Sequence, residues 1–307
     1  VIIYDIQNLT KFYPGREHPA NHNITLQIKE GEIFGILGDN GAGKSTLVRQ
    51  MANLLSSDAG SITVFGQPLS AANPAKVSQF MQMNIGYMPQ ESTALNHLTI
   101  AEALFFTAHL RGMSRAEARQ ERDRLLDLWQ IRPWQHYPSS RLSGGQRRLL
   151  RLAVAMAGSP PVLILDEPTN DLDPQRRKQV WEILRHLNQA EGTTIILITH
   201  DAIEAEKAIQ RVAILRDGEI VAIGRPAELK RQVDHKLRLE LFFPPEAPPT
   251  LPDTLTYHAI TPGHWRILLD WEQVMPTLNG LDLKQLDDFR LYSATLEDLY
   301  LHYANRS

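Results

Sequence analysis

The run Gly38-Asp39-Asn40-Gly41-Ala42-Gly43-Lys44-Ser45 follows the spacing G-x-x-x-x-G-K-[ST], a pattern suited to gripping phosphate. Glycines let successive backbone N–H groups turn inward on phosphate oxygens, and a helix opening there adds partial positive charge. Lys44 then reaches the β and γ phosphates, and the Ser45 hydroxyl ligates Mg²⁺. Far downstream, Val162-Leu163-Ile164-Leu165 ends in Asp166-Glu167, which places carboxylates at the sheet edge where α/β proteins bind ligands. Asp166 would hold Mg²⁺ through water, and Glu167 would orient or deprotonate an attacking water. Alone, such a run reads equally well as a strand finishing in a polar turn. The phosphate loop upstream makes it a partner.

A sheet and its helices must position these groups. Residues 33–37, 162–165 and 195–198 are the longest apolar runs, of strand length and suited to strands covered on both faces, as in a parallel sheet. Residues 24–29 alternate with the period of two of a half-buried strand. Residues 45–55 set Leu47, Met51, Leu54 and Leu55 at helical spacing, so the phosphate loop joins a strand to a helix. A long charged helical stretch is predicted over 99–130, with Leu104, Ala108, Leu125 and Leu128 facing inward and Pro133 and Pro138 at its end. A helix presenting Val180, Ile183, Leu184 and Leu187 separates the strands at 162–165 and 194–198. Strand-helix-strand in that order argues for a parallel α/β sheet. Near residue 236 the character changes. A strand over 237–243 runs into PPEAPPTLP, too proline-rich to hold a helix. Strands over 254–260 and 264–269 and a helix over 294–304 then read as a small α+β appendage.

Composition bounds the rest. The chain has 307 residues, 43% of them hydrophobic and 22% charged, enough for roughly two ordinary globular domains. With no cysteine, a disulfide scaffold, a thiol nucleophile and thiolate metal sites are excluded. No apolar run approaches the roughly 20 residues that span a bilayer, and no signal peptide is visible, so the chain is not expected to cross a membrane. A net charge of -3 gives no general push toward nucleic acid or anionic lipid. Of the histidines only His18 and His22 stand at H-x-x-x-H spacing, and the proline between them speaks against one helical face, so a transition-metal site is not expected. Between Arg111 and Arg151 arginines outnumber acids, and no lysine occurs. That stretch is either a docking surface for a membrane partner or lipid headgroups, or, the favoured reading, a solvated helical face. Glu117 and Glu121 would then partly pair with Arg115, Arg119 and Arg124.

One more motif narrows the class. Leu142-Ser143-Gly144-Gly145-Gln146 precedes Asp166 and leads into a helical RRLLRLAVAMA. With the two motifs above, it resembles the signature of the ATP-binding cassette (ABC) ATPases, and the likeness runs from about residue 2 to 235. The resemblance implies an α/β P-loop NTPase fold: a RecA-like core, an N-terminal antiparallel β subdomain and an α-helical subdomain inserted at about 91–157. The cassette would cover 1–235, and a small C-terminal α+β domain 236–307. ATP and Mg²⁺ are the implied ligands, held by Gly38, Asp39, Asn40, Gly41, Ala42, Gly43, Lys44, Ser45 and Thr46. Tyr13 matches the aromatic that stacks on adenine, and Asp173 the D-loop aspartate. Gln90 matches the Q-loop glutamine, which joins Ser45 and Asp166 at the metal. His200 matches the switch histidine, acting in catalysis with Glu167 and Lys44. In the family two cassettes stack head to tail, so that Ser143, Gly144, Gly145 and Gln146 of one cover phosphate held by the other. One phosphate loop and one signature per chain therefore imply a second cassette, as a homodimer or a paired cassette.

GEIFGILGDNGAGKST, LTIAEALFFTAHLRG and the terminal ATLEDLYLHYA are further similar to ABC-2 type exporter ATPase subunits of the daunorubicin-resistance type. The implied activity is ATP hydrolysis coupled to transport by separate transmembrane permease subunits at the cytoplasmic face of the cell membrane. Gln90 and residues 91–112 would pass the motion, and no nucleic acid is expected as a partner. A soluble non-transport ABC ATPase and an importer subunit are the alternatives. The chain departs from the pattern at Asp39, where Pro is common, and at Asn21, where an apolar residue is usual, and neither is expected to touch a catalytic role. Ser139-Ser140-Arg141 stands where many fused exporters carry an acidic-glycine stretch. The appendage is expected to pack on its symmetry mate or to bind a regulator.

Overall fold

Three uninterrupted apolar runs become the centre of one sheet. In a computed structural model, which describes residues 1–69, 74–90, 95–199, 206, 208–233, 236–252, 255–293 and 298–299, β3 (Ile33–Gly38), β7 (Val162–Asp166) and β8 (Thr194–Ile198) are buried at every residue. They lie in the order β10-β9-β3-β8-β7-β6 with β6 (Ile85–Met88), β9 (Arg211–Arg216) and β10 (Glu219–Gly224). All neighbours pair in parallel except β9 with β10. Helices cover both faces of such a sheet, so apolar residues replace alternation. Because β3, β8 and β7 run in parallel, Gly38 and Asp166 emerge at the same carboxyl edge.

A second sheet, ordered β2-β1-β4-β5, is antiparallel. It comprises β1 (Ile2–Lys11), β2 (Asn21–Lys29), β4 (Ala59–Val64) and β5 (Gln67–Pro68). Alternation on β2 buries Ile24, Leu26 and Ile28 in a core shared with Leu47 and Met51 of α1 (Lys44–Met51). That helix stops short of the expected residue 55. Asn53 takes a left-handed φ of 56°, which ends the helix and leaves Leu54 65% exposed.

After α2 (Pro74–Asn84) and β6 come α3 (Ile100–Leu110) and α4 (Arg115–Leu128), two helices where one stretch was expected. Gly112 turns the chain at a φ of 94°, and Ser114 with Glu117 forms a capping box that starts a new helix. Leu104, Ala108 and Leu125 are buried, and Leu128 is half-buried. Two arginines of α4 pair locally, Arg122 with Asp123 and Arg124 with the buried Glu121, while Glu117 is taken up by the Ser114 cap. Two other arginines do not. Arg111 donates to the carbonyls of Gln82, Ile85, Ala155 and Ala157, and Arg148, on α5 (Gly144–Met156), is buried. α6 (Pro174–Glu191) buries Val180, Ile183, Leu184 and Leu187 as expected.

The chain divides into two compact units, Val1–Gly224 and Arg225–Ser307, a division that falls ahead of residue 235. The second unit holds α7 (Pro226–Val233), β11 (Leu237–Phe242), β12 (Tyr257–Thr261), β13 (His264–Leu269), α8 (Trp271–Gly280) and β14 (Asp288–Tyr292). Its antiparallel sheet runs β12-β13-β11-β14 over a core of Leu239, Leu241, Ile267, Leu269 and Val274. Both α8 and β14 are additions to the sequence reading. The helix expected at 294–304 lies outside the described residues but for 298 and 299. No described helix is long and apolar enough to cross a membrane.

Candidate active site

The phosphate loop is shaped by what lies beneath it. Gly43 sits at the N-cap of α1 with a φ of 100°, and a Cβ there would overlap the Ala20 carbonyl oxygen. No side chain caps α1, so the N–H groups of its first turn stay available to an anion. Lys44 is 8% exposed, and its Nζ donates to the carbonyls of Gly38 at 2.7 Å and Asp39 at 2.8 Å. Burial pulls the Lys44 amine below its ordinary pKa, against the opposing pull of Glu167, Asp166 and Asp39. The ammonium thus rests on its own loop, where an incoming phosphate can exchange for the two carbonyls.

Asp166 and Glu167 are both buried. The Asp166 carboxyl is pushed up to about 6, chiefly by burial and then by the neighbouring Glu167, with Lys44, Arg148 and Arg49 acting against. Glu167 takes a left-handed φ of 52° and donates its N–H to the Ile198 carbonyl at 2.8 Å. Such backbone is uncommon outside glycine and concentrates at functional positions. It turns the chain sharply straight after β7.

A cavity of about 550 Å³ is lined by Tyr13, Asn40, Gly41, Gly43, Lys44, Ser45, Thr46, Gln90 and Asp166 among others, a volume ordinary for a small-molecule site. Tyr13 Oη lies 3.4 Å from Thr46 Oγ1, and the Arg16 guanidinium lies 5.9 Å from the centre of the Tyr13 ring. Ser45, Gln90 and Asp166 line this one cavity. Hydroxyl, amide and carboxylate oxygens are hard donors, and no group of three His, Cys, Asp or Glu able to hold a metal occurs among the described residues. The set therefore fits Mg²⁺, which takes one or two protein ligands beside substrate phosphates. Bound there, the ion would supply charge neutralisation for the phosphates.

The signature residues do not line that cavity. Ser143 Oγ accepts from the Gln146 N–H at 3.3 Å, and the Gln146 side chain accepts from the Ser143 N–H at 2.9 Å, so this turn is itself the capping box of α5. Asp173 likewise caps α6, accepting from the Arg176 N–H at 2.9 Å. Ser143, Gly144 and Asp173 are exposed. His200 lies outside the described residues.

Two contacts with the loops of this site escaped the sequence reading. Asn21, expected to have no catalytic role, is fully buried and donates from Nδ2 to the Gly43 carbonyl at 3.2 Å, while its Oδ1 is buried with no hydrogen-bond partner. The available signal was its polarity at a usually apolar position. Arg148, read as part of a solvated face, is 5% exposed and reaches Gln90, Asn170 and Asp171.

Residues 21–170 match the family described as "ABC transporter". The methionine import ATP-binding protein MetN of Thermobifida fusca is 36% identical over 231 residues, covering 75% of this chain and 72% of that protein. The chain belongs to the ABC transporter family. The ABC cassette is also 37% identical over 206 residues to the Nod factor export ATP-binding protein I of Rhizobium etli, covering 67% of the chain and 63% of that relative. It matches, with a TM-score of 0.69 and 27% identity over 73% of this chain and 98% of the other, a solved "Dimeric structure of a post-hydrolysis state of the ATP-binding cassette MJ0796 bound to ADP and Pi". The chain spans about a tenth of the length of the longer human and rat relatives that it matches. The fold is that of the P-loop NTPase cassettes.

Proposed function

We propose that this cassette binds ATP with Mg²⁺, pairs head to tail with a second copy, hydrolyses ATP and powers export through separate transmembrane subunits at the cytoplasmic face of the membrane. One observation carries the reading. Lys44, Ser45, Gln90 and Asp166 line one cavity, and no residue of the same chain's signature turn is among those that line it. A closed site therefore takes its missing wall from another chain. In that site Lys44 leaves the Gly38 and Asp39 carbonyls for the γ-phosphate. Glu167 accepts a proton from water as the water oxygen bonds to the γ phosphorus and the bond to the ADP oxygen breaks. His200 is assigned to the γ-phosphate on the resemblance alone.

The permease reading draws on a groove of about 460 Å³ bordered by Ala52, Leu54, Met81, Ile85, Leu110 and Arg111. There Leu54 and Leu110 are 65% and 79% exposed, apolar area suited to a permease segment. The direction of transport rests on the exporter-like segments at 98–112 and 294–304 and on the likeness to the Nod factor export protein. The likeness to MetN favours import as the second reading. Glu167→Gln tests the chemistry: phosphate release should fall at least about 100-fold while ATP still binds and native mass measurement finds the dimer. Undiminished hydrolysis would overturn the assignment. Vesicles carrying the cassette with its permease, assayed for substrate movement in each direction, decide between export and import.

A further inference from the structure

Helix α5 carries the signature turn at its first residues and, four to eight residues on, grips two other loops of the site. Arg148 donates from Nε to the Asn170 carbonyl at 3.2 Å and from Nη1 to the Gln90 carbonyl at 3.5 Å, and its Nη2 meets Asp171 Oδ2 at 3.3 Å. Arg151 donates from Nη1 to the same Gln90 carbonyl at 2.7 Å. A buried guanidinium is tolerated where its donors find acceptors, and the planar fork of Arg148 serves three acceptors that diverge. The signature turn also packs on this junction, since a Cβ on Gly145 would stand 3.4 Å from the Asp171 carbonyl oxygen. On the far side, Arg176 and Gln179 of α6 donate to the carbonyls of Trp129 at 3.4 Å and Leu128 at 3.2 Å. The helix capped by Asp173 is thereby tied to the end of α4.

We infer that Arg148 and Arg151 are positioning residues that lock the signature turn to Gln90 and to the Asn170-Asp171 turn of the same chain, so that nucleotide in one site sets the signature turn presented to the other. The inference rests on the head-to-tail pairing proposed above. Gln90 lines the cavity of its own chain, whereas the signature turn serves the partner's. A rigid link between them makes the two sites load cooperatively.

The test uses the full chain, with initial rates of phosphate release across ATP concentrations and ADP affinity by calorimetry. The wild type should show a Hill coefficient approaching about 2, the number of sites. Arg151→Ala should bring it to about 1 and raise the half-saturating ATP concentration several-fold, with ADP affinity unchanged because one phosphate loop holds ADP alone. Arg151→Lys should restore cooperativity, since an ammonium can still donate to the Gln90 carbonyl. Arg148→Lys should not, since it cannot reproduce the fork. Arg151 is only half-buried and carries the test should Arg148 variants fail to fold. Cooperativity intact in Arg151→Ala, or ADP affinity lost in parallel, would overturn the inference. A wild type that hydrolyses ATP without cooperativity overturns the inference alone; one that does not hydrolyse ATP overturns the proposed function as well.

Discussion

Asp166 gives the ligand-free chain a pH signature. Its carboxyl is raised from the ordinary 3.8 to about 6, so between those values the native chain holds a proton that the unfolded chain has released. Its contribution to stability is full below about pH 4 and is lost as pH rises through about 6. Asp166→Asn should therefore raise the ligand-free Tm at pH 7 and flatten its fall between pH 4 and 6, while Mg²⁺-dependent phosphate release collapses. Thermal melts at pH 4, 5 and 7 check the first outcome. Mg²⁺ needs the ionised carboxylate, so Mg-nucleotide affinity should weaken as pH falls below about 6. Asn21 makes a second case: burying an amide oxygen without a partner costs about 1–3 kcal/mol, and its Nδ2 holds Gly43. Asn21→Leu should leave the Tm equal or higher yet raise KM for ATP, measured by melting and steady-state kinetics. The phosphate loop was legible from its own residues. The role of Asn21 was not, because the contact joins β2 to a loop some twenty residues away.

Among the elements, the helices that open at Ser143 and Asp173 join family-implied residues to ordinary capping. Each side chain accepts a first-turn N–H, so Asp173→Ala should cost about 1 kcal/mol in urea unfolding even without nucleotide. Ser143→Thr should preserve the cap where Ser143→Ala loses it. The central strands were readable because burial on both faces leaves an unbroken apolar run. The break between α3 and α4 was missed although Gly112, Ser114 and Glu117 announce it, since charged helical residues continue on both sides. β14 was missed for another reason. Its five residues, DFRLY, are exposed or half-exposed, and pairing with β11 rather than a buried face makes them a strand.

At the scale of the molecule, the residues that line the phosphate-loop cavity belong to Val1–Gly224, and Arg225–Ser307 has its own core. A chain ending at residue 236 should bind ADP with unchanged affinity by calorimetry; weaker binding would give the second unit a part in the site. The sequence by itself determined the phosphate loop, the carboxylates after an apolar strand, the signature turn and the layered α/β core. These depend on glycine sterics, helix capping and apolar periodicity, which act over a few residues. Tertiary structure alone decided that Asp166 is raised to about 6, that Lys44 rests on its own loop, that Arg111 donates to backbone carbonyls and Arg148 is buried, and that α5 grips the Gln90 backbone. Desolvation depends on everything packed around a group, and Arg148 meets acceptors 58 and 23 residues away in the chain. Neither is set by local neighbours, so neither can be read from them.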